Sequence, residues 1–173
     1  MNLSYYKLTI PVIEKNLVNM RSVLLKWWEH AGKNWVSEID FLNLKLIDDM
    51  FPLIKHVQVI TDLAKGIPAR LTETPQISIA DSETSVKELI DRIDLVIKNL
   101  ENFKPEDFEN TANIDIELPL FPNKSQTSHD YLIDFGLANF MFHCSILYAL
   151  IRIQWSNIWK ADFIWELKLK DTK

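Results

Sequence analysis

Apolar residues recur along this chain at alternating steps of three and four, and that spacing predicts helices. Ile13, Leu17, Met20, Leu24 and Trp27 form the seam of a first helix. It should be capped near Ser4, run to about His30 and end at Ala31-Gly32. Pro11 lacks a backbone donor, so a kink or an irregular first turn is expected there. Trp27 falls on the seam and Trp28 on its rim. A short helix through Glu38 to Asn43 follows a link that carries Trp35.

Leu53, Val57, Ile60, Ala64, Ile67 and Leu71 define the inward stripe of a second helix over 48–72. Asp48 and Asp49 would cap its start, with Pro52 in the first turn. Lys55, Gln58, Asp62 and Lys65 fall on its outer side, and Gly66 and Pro68 weaken its last turns. The third helix, 84–102, is the most plainly amphipathic. Val86, Leu89, Ile93, Val96 and Leu100 lie inward, while Lys87, Glu88, Asp91, Arg92 and Lys98 fill the outside, behind a Thr84 or Ser85 cap.

Thr72 to Glu83 between these helices is polar enough for a crossing loop, and Pro105-Glu106-Asp107 reads as a short turn. The period then changes to two. Ile114, Ile116 and Leu118 alternate with Asp115 and Glu117, which suits a half-exposed strand. A turn at Pro122-Asn123 and a partner strand over Lys124 to Thr127 complete a small hairpin within 113–127.

The last long helix, 128–153, is capped by Thr127 or Ser128 and centred on Tyr131 to Arg152. At about 100° per residue, nine residues make about two and a half turns. Asp134 and Arg152, each nine residues from His143, therefore share one wet face, and His143 points inward. Asn139, one turn earlier, lies about 40° from it. No charged side chain occurs between Phe135 and Ile151, a length near the lower limit for a membrane span. Asn139, His143 and Ser145 interrupt that run, which favours a central bundle helix. The aromatic C-terminal segment, 154–173, carries Trp155, Trp159, Phe163 and Trp165. It must pack either on its own bundle or against a second copy.

At 173 residues the chain fits one helical-bundle domain that buries about 70% of its unfolded surface. A net charge of −5 and the lack of a basic run give no reason to expect nucleic acid or an anionic membrane surface. One cysteine excludes an internal disulfide, and the first residues show neither a basic leader nor an apolar signal core, so a cytoplasmic setting is expected.

His56 and His143 come from the inward faces of two helices and could meet with Asn139. A zinc site needs three or four ligands, and no acidic one is identifiable here. One reading makes both histidines neutral core residues bonded to Asn139, a backbone carbonyl or water. The other makes His56, His143 and Asn139 a ligand site, with the two imidazoles holding a divalent metal such as Zn or Ni. Cys144 points about 100° away from His143, so the imidazole is badly placed as its base and the thiol reads as an inert core group. His30 and His129 lie near helix ends as surface groups.

The blocks SYYKLTIPV, DDMFPLIKHVQV followed by DLAKG, ANFMFH and KADF, in this order, resemble a bacterial and fungal domain-of-unknown-function family grouped with the DinB/YfiT-like four-helix bundles. The resemblance extends to Phe163. It implies an all-α DinB-like four-helix bundle, a long crossing between the second and third helices, and homodimers. It also implies a divalent metal held by one histidine of the second helix and an H-x-x-x-H pair on the fourth, serving thiol-dependent transfer or hydrolysis in active relatives. This chain departs from that pattern. The place of the second fourth-helix histidine is taken by Asn139 or by Leu147, and His56 stands where the family more usually carries glutamine. The expectation is a small-molecule binding protein with an incomplete metal triad. The alternatives are a metal-dependent thiol transferase or hydrolase using His56 and His143, and a structural dimerisation module.

Overall fold

The computed structural model describes residues 4–31, 36–118, 121–154, 156–164 and 167–171. Helix α1, Tyr5–Ala31, runs without a break through Pro11, so the expected irregularity is absent. Its seam of Ile13, Leu17, Met20 and Leu24 is fully buried. Trp27 stacks on Phe41 of α2, Glu38–Leu42, while Trp28 lies at the rim, about half exposed. Ser37 caps α2 by accepting from the Asp40 amide. Gly32 and Trp35 lie outside the described residues.

Helix α3, Leu53–Leu71, starts later than the aspartates suggested. Pro52 is its extended N-cap, with no side-chain cap bond, and Asp48 and Asp49 lie exposed in the preceding turns. The helix continues through Gly66 and Pro68 to Leu71, and Thr72 closes it by donating from both its amide and its hydroxyl to the Pro68 carbonyl. Helix α4, Val86–Leu100, opens on a reciprocal capping box between Ser85 and Glu88.

The outer faces assigned to α3 and α4 need correction. Gln58, Lys65 and Arg92 are buried, Gln58 and Arg92 under the crossing loop. Arg92 donates to the Thr61 hydroxyl, the Ala80 carbonyl, Asp62 and Glu83, and also pairs with Asp81 at 3.0 Å. Gln58 donates to Glu83, and Lys55 pairs with Asp81. A helical wheel shows what one helix presents, not what a later loop covers.

Two short 3₁₀ turns, Pro105–Phe108 and Thr111–Asn113, lead into the expected hairpin. Strands β1, Asp115–Glu117, and β2, Ser125–Thr127, pair antiparallel with Ile116 opposite Gln126. Asn123 takes a positive φ of 62° in the turn between them. Thr127 then caps α5, Ser128–Arg152, through the Asp130 amide.

Within α5, Tyr131–Leu137 wind as a π-helix, whose i→i+5 bonds widen the turn and break the 100° count on which the facing of Asp134 and Arg152 rested. Arg152 is not on an open face. It lies half-buried over the Trp159 ring and donates to the Ser156 carbonyl. Although α5 is long and apolar enough to cross a membrane by length and composition alone, Leu132, Phe140, Leu147 and Leu150 are buried where it packs on α3 and α1. Helices α1, α3, α4 and α5 thus form the bundle, with the hairpin immediately before the last long helix. The C-terminal segment folds back in cis. Helix α6, Lys160–Ile164, lies on α1, where Asn19 donates to the Phe163 carbonyl and Lys26 pairs with Asp162. Trp155 and Trp165 lie outside the described residues.

Candidate functional site

His56, one turn into α3, and His143, midway along α5, meet where these two helices pack. Their Nδ1 atoms are 2.9 Å apart and the residues are 1% and 7% exposed. At that distance one Nδ1 donates and the other accepts, so a single proton sits between the rings. Phe51 stacks near His143 with ring centroids 6.5 Å apart, and Phe142 approaches edge-on at 5.2 Å. Burial, and secondarily the neighbouring His56, pushes the His143 pKa down to about 4. Burial also lowers His56, with the Phe51 backbone opposing it. Both rings are therefore neutral at pH 7. The His56 Nε2 is buried without a hydrogen-bond partner.

The metal implied by the DinB-like resemblance does not fit these residues. Two nitrogens bound to a tetrahedral ion at about 2.0 to 2.1 Å would stand about 3.4 Å apart, whereas this pair is at hydrogen-bond distance. Among the described residues no group of three or more histidine, cysteine, aspartate or glutamate side chains could hold an ion. Cys144 is fully buried, and burial pushes its thiol far up, which makes it a packing group.

Asn139 does not join the imidazoles. It lines a cavity of about 350 Å³ farther along the groove between α3 and α5. Four residues of helix separate Asn139 from His143, a rise of about 6 Å, enough to hand it to a different neighbour on α3. The π-helical turn supplies two more walls, Tyr131 and Phe135, whose rings stack with centroids 5.9 Å apart. Gly136 allows this close packing, since a Cβ there would lie 3.3 Å from Ile67 of α3 and 3.2 Å from the Tyr131 carbonyl. Helix α3 contributes Asp62, Lys65 and Arg70. The Tyr131 hydroxyl is buried beside the Arg70 guanidinium without a well-formed hydrogen bond; burial raises its pKa, and Arg70, by its charge and as a donor, opposes this.

Sequence reasoning thus placed His56 and His143 together and Asn139 on the same helix, but did not find Tyr131, Lys65 or Arg70. Their one visible signal was a polar set on α3 at steps of three and five, Asp62, Lys65 and Arg70, which reads equally as a solvated face.

Comparison with known proteins agrees with this architecture. A DinB family member protein from Shewanella denitrificans superposes with a TM-score of 0.92 at 32% identity, over 96% of this chain and 95% of that one. No curated protein matches. The family model of the domain of unknown function DUF1993 matches residues 5–164, and with nearly the whole bundle inside that match the chain belongs to the DUF1993 family, on a DinB-like fold.

Proposed function

We propose that this protein is a small-molecule binding protein whose ligand lies in the groove between α3 and α5, at the Asn139 end. One observation carries the reading: a cavity of about 350 Å³ between α3 and α5, bordered by Asn139, Lys65 and Arg70 and by the apolar Leu63 and Phe135. The volume lies within the range of ligand pockets, about 300 to 1,000 Å³, and a few polar groups on an apolar lining are what such pockets carry. The π-helix that creates this wall is also a device found mostly at functional sites.

The histidine pair has a supporting role in this reading. It holds α3 and α5 in register by a neutral hydrogen bond, which keeps the groove at a fixed width. A fragment screen by ligand-observed NMR tests the proposal. Hits should be displaced from, or weakened by, a variant that fills the cavity wall, such as Asn139→Phe. A screen in which no fragment responds to that substitution contradicts it.

A further inference from the structure

The charges around the same cavity are unequal, and the inequality identifies what would enter it. Asp62 is the carboxylate in its wall, and it is already committed twice, at 3.1 Å to Lys65 and 3.0 Å to Arg92. Behind it, Arg92 also holds Asp81 and Glu83, and Lys55 shares Asp81. Three cations, Lys55, Lys65 and Arg92, therefore share three carboxylates. The cation left over is Arg70, which takes part in no ion pair among the described residues. Lys65 is equally short of partners. Its buried ammonium has three donors and one acceptor, Asp62.

Arg70 is held near the cavity by its surroundings. Its Nη1 folds back over Gly66, so closely that a Cβ there would come within 2.5 Å, and Gln76 lies against the same glycine. The guanidinium thus reaches the Tyr131 hydroxyl from one side of the cavity, while Asn139 borders it from α5. The remaining wall is apolar, with Leu63, Leu118 and Phe135. A guanidinium fork and a lysine with one acceptor thus border one small volume with an apolar back wall.

We infer that the Asn139 cavity is a site for a small organic anion, a carboxylate or phosphate monoester with an apolar body, whose headgroup meets Arg70 and Lys65. The apolar wall favours an aromatic or branched aliphatic body over a sugar. This inference rests on the binding role proposed above and adds the chemical class of the ligand.

Calorimetric titration with benzoate, phenyl phosphate, inorganic phosphate and the neutral isostere benzamide tests it. At least one of benzoate and phenyl phosphate should bind about tenfold or more tightly than benzamide, and the tighter of the two names the headgroup. Inorganic phosphate should bind more weakly than phenyl phosphate. Arg70→Gln should abolish the preference for the anion over benzamide. Arg21→Ala, in the exposed pair with Asp94 and not among the cavity residues, should leave the preference intact. Benzamide binding as tightly as both anions overturns the anion inference and leaves the binding role standing. Absence of binding by all four probes at 10 mM overturns both.

Discussion

Helix α3 carries two buried polar clusters that solve the same problem in opposite ways. At His56 the polar groups are neutral. Burial holds both imidazoles unprotonated, and a single hydrogen bond satisfies the two facing nitrogens. Farther along, Asp62 pairs with Lys65 and joins Arg92 in a network that also pins the crossing loop through Asp81, Glu83 and the Ala80 carbonyl. Neutralisation works where only two groups meet in an apolar setting. Pairing is required where the loop brings Asp81 and Glu83 to a guanidinium that already holds Asp62 of α3. The second cluster borders a cavity beside Arg70, and the first holds its two facing nitrogens at hydrogen-bond distance. That contrast explains why the candidate binding end of the groove is the Asn139 end.

The charged cluster should be the more fragile. Arg92→Met is expected to cost about 3 to 5 kcal/mol in chemical denaturation. Asp62 would retain Lys65 and Asp81 would retain Lys55, but the buried Glu83 would keep only the Gln58 amide. Adding Glu83→Gln should therefore recover part of the loss. An equal cost with and without Glu83→Gln would mean that the network is not organised around that pair.

The neutral cluster should respond to acid. Because the folded pKa of His143 is below its unfolded value, the unfolded chain binds the extra proton first as pH falls. Stability should be flat above about pH 7 and fall by about 2 kcal/mol between pH 6.5 and pH 4. His143→Asn, which does not titrate, should flatten that slope. Urea denaturation across the pH range reads both chains.

Smaller effects mark the periphery of both clusters. Ser85→Ala removes the cap that starts α4 and should cost about 1 kcal/mol. Arg21→Ala removes a half-exposed ion pair between α1 and α4 and should cost less than about 1 kcal/mol, diminishing further in salt. A loss at Arg21 comparable to that at Arg92 would erase the distinction between exposed and covered charge.

Much of the fold was legible because the seams of α1, α3 and α4 repeat cleanly, and the period-two residues Ile114 and Ile116 announced the hairpin. His143 does face inward, although the wheel that set it opposite Asp134 and Arg152 does not hold through the π-turn. Three features were not legible. The burial of Arg92 depends on where the crossing loop lands, which no helical periodicity encodes. The π-turn at Tyr131–Leu137 adds a local widening that a constant 100° step cannot reveal. The split between Asn139 and His143 depends on the axial register of α5 against α3, a property of two helices together.

The most direct test of this account is nitrogen-15 NMR of the histidine side chains in the intact protein, from pH 8 to pH 4.5, with and without one equivalent of Zn²⁺. The account predicts that His143 remains neutral down to about pH 5, that His56 titrates below the ordinary histidine range, and that the pair shares one Nδ1-bound proton and is unchanged by the metal. Titration of either ring near pH 6.5, or stoichiometric loss of both Nδ1 signals to zinc, would contradict it.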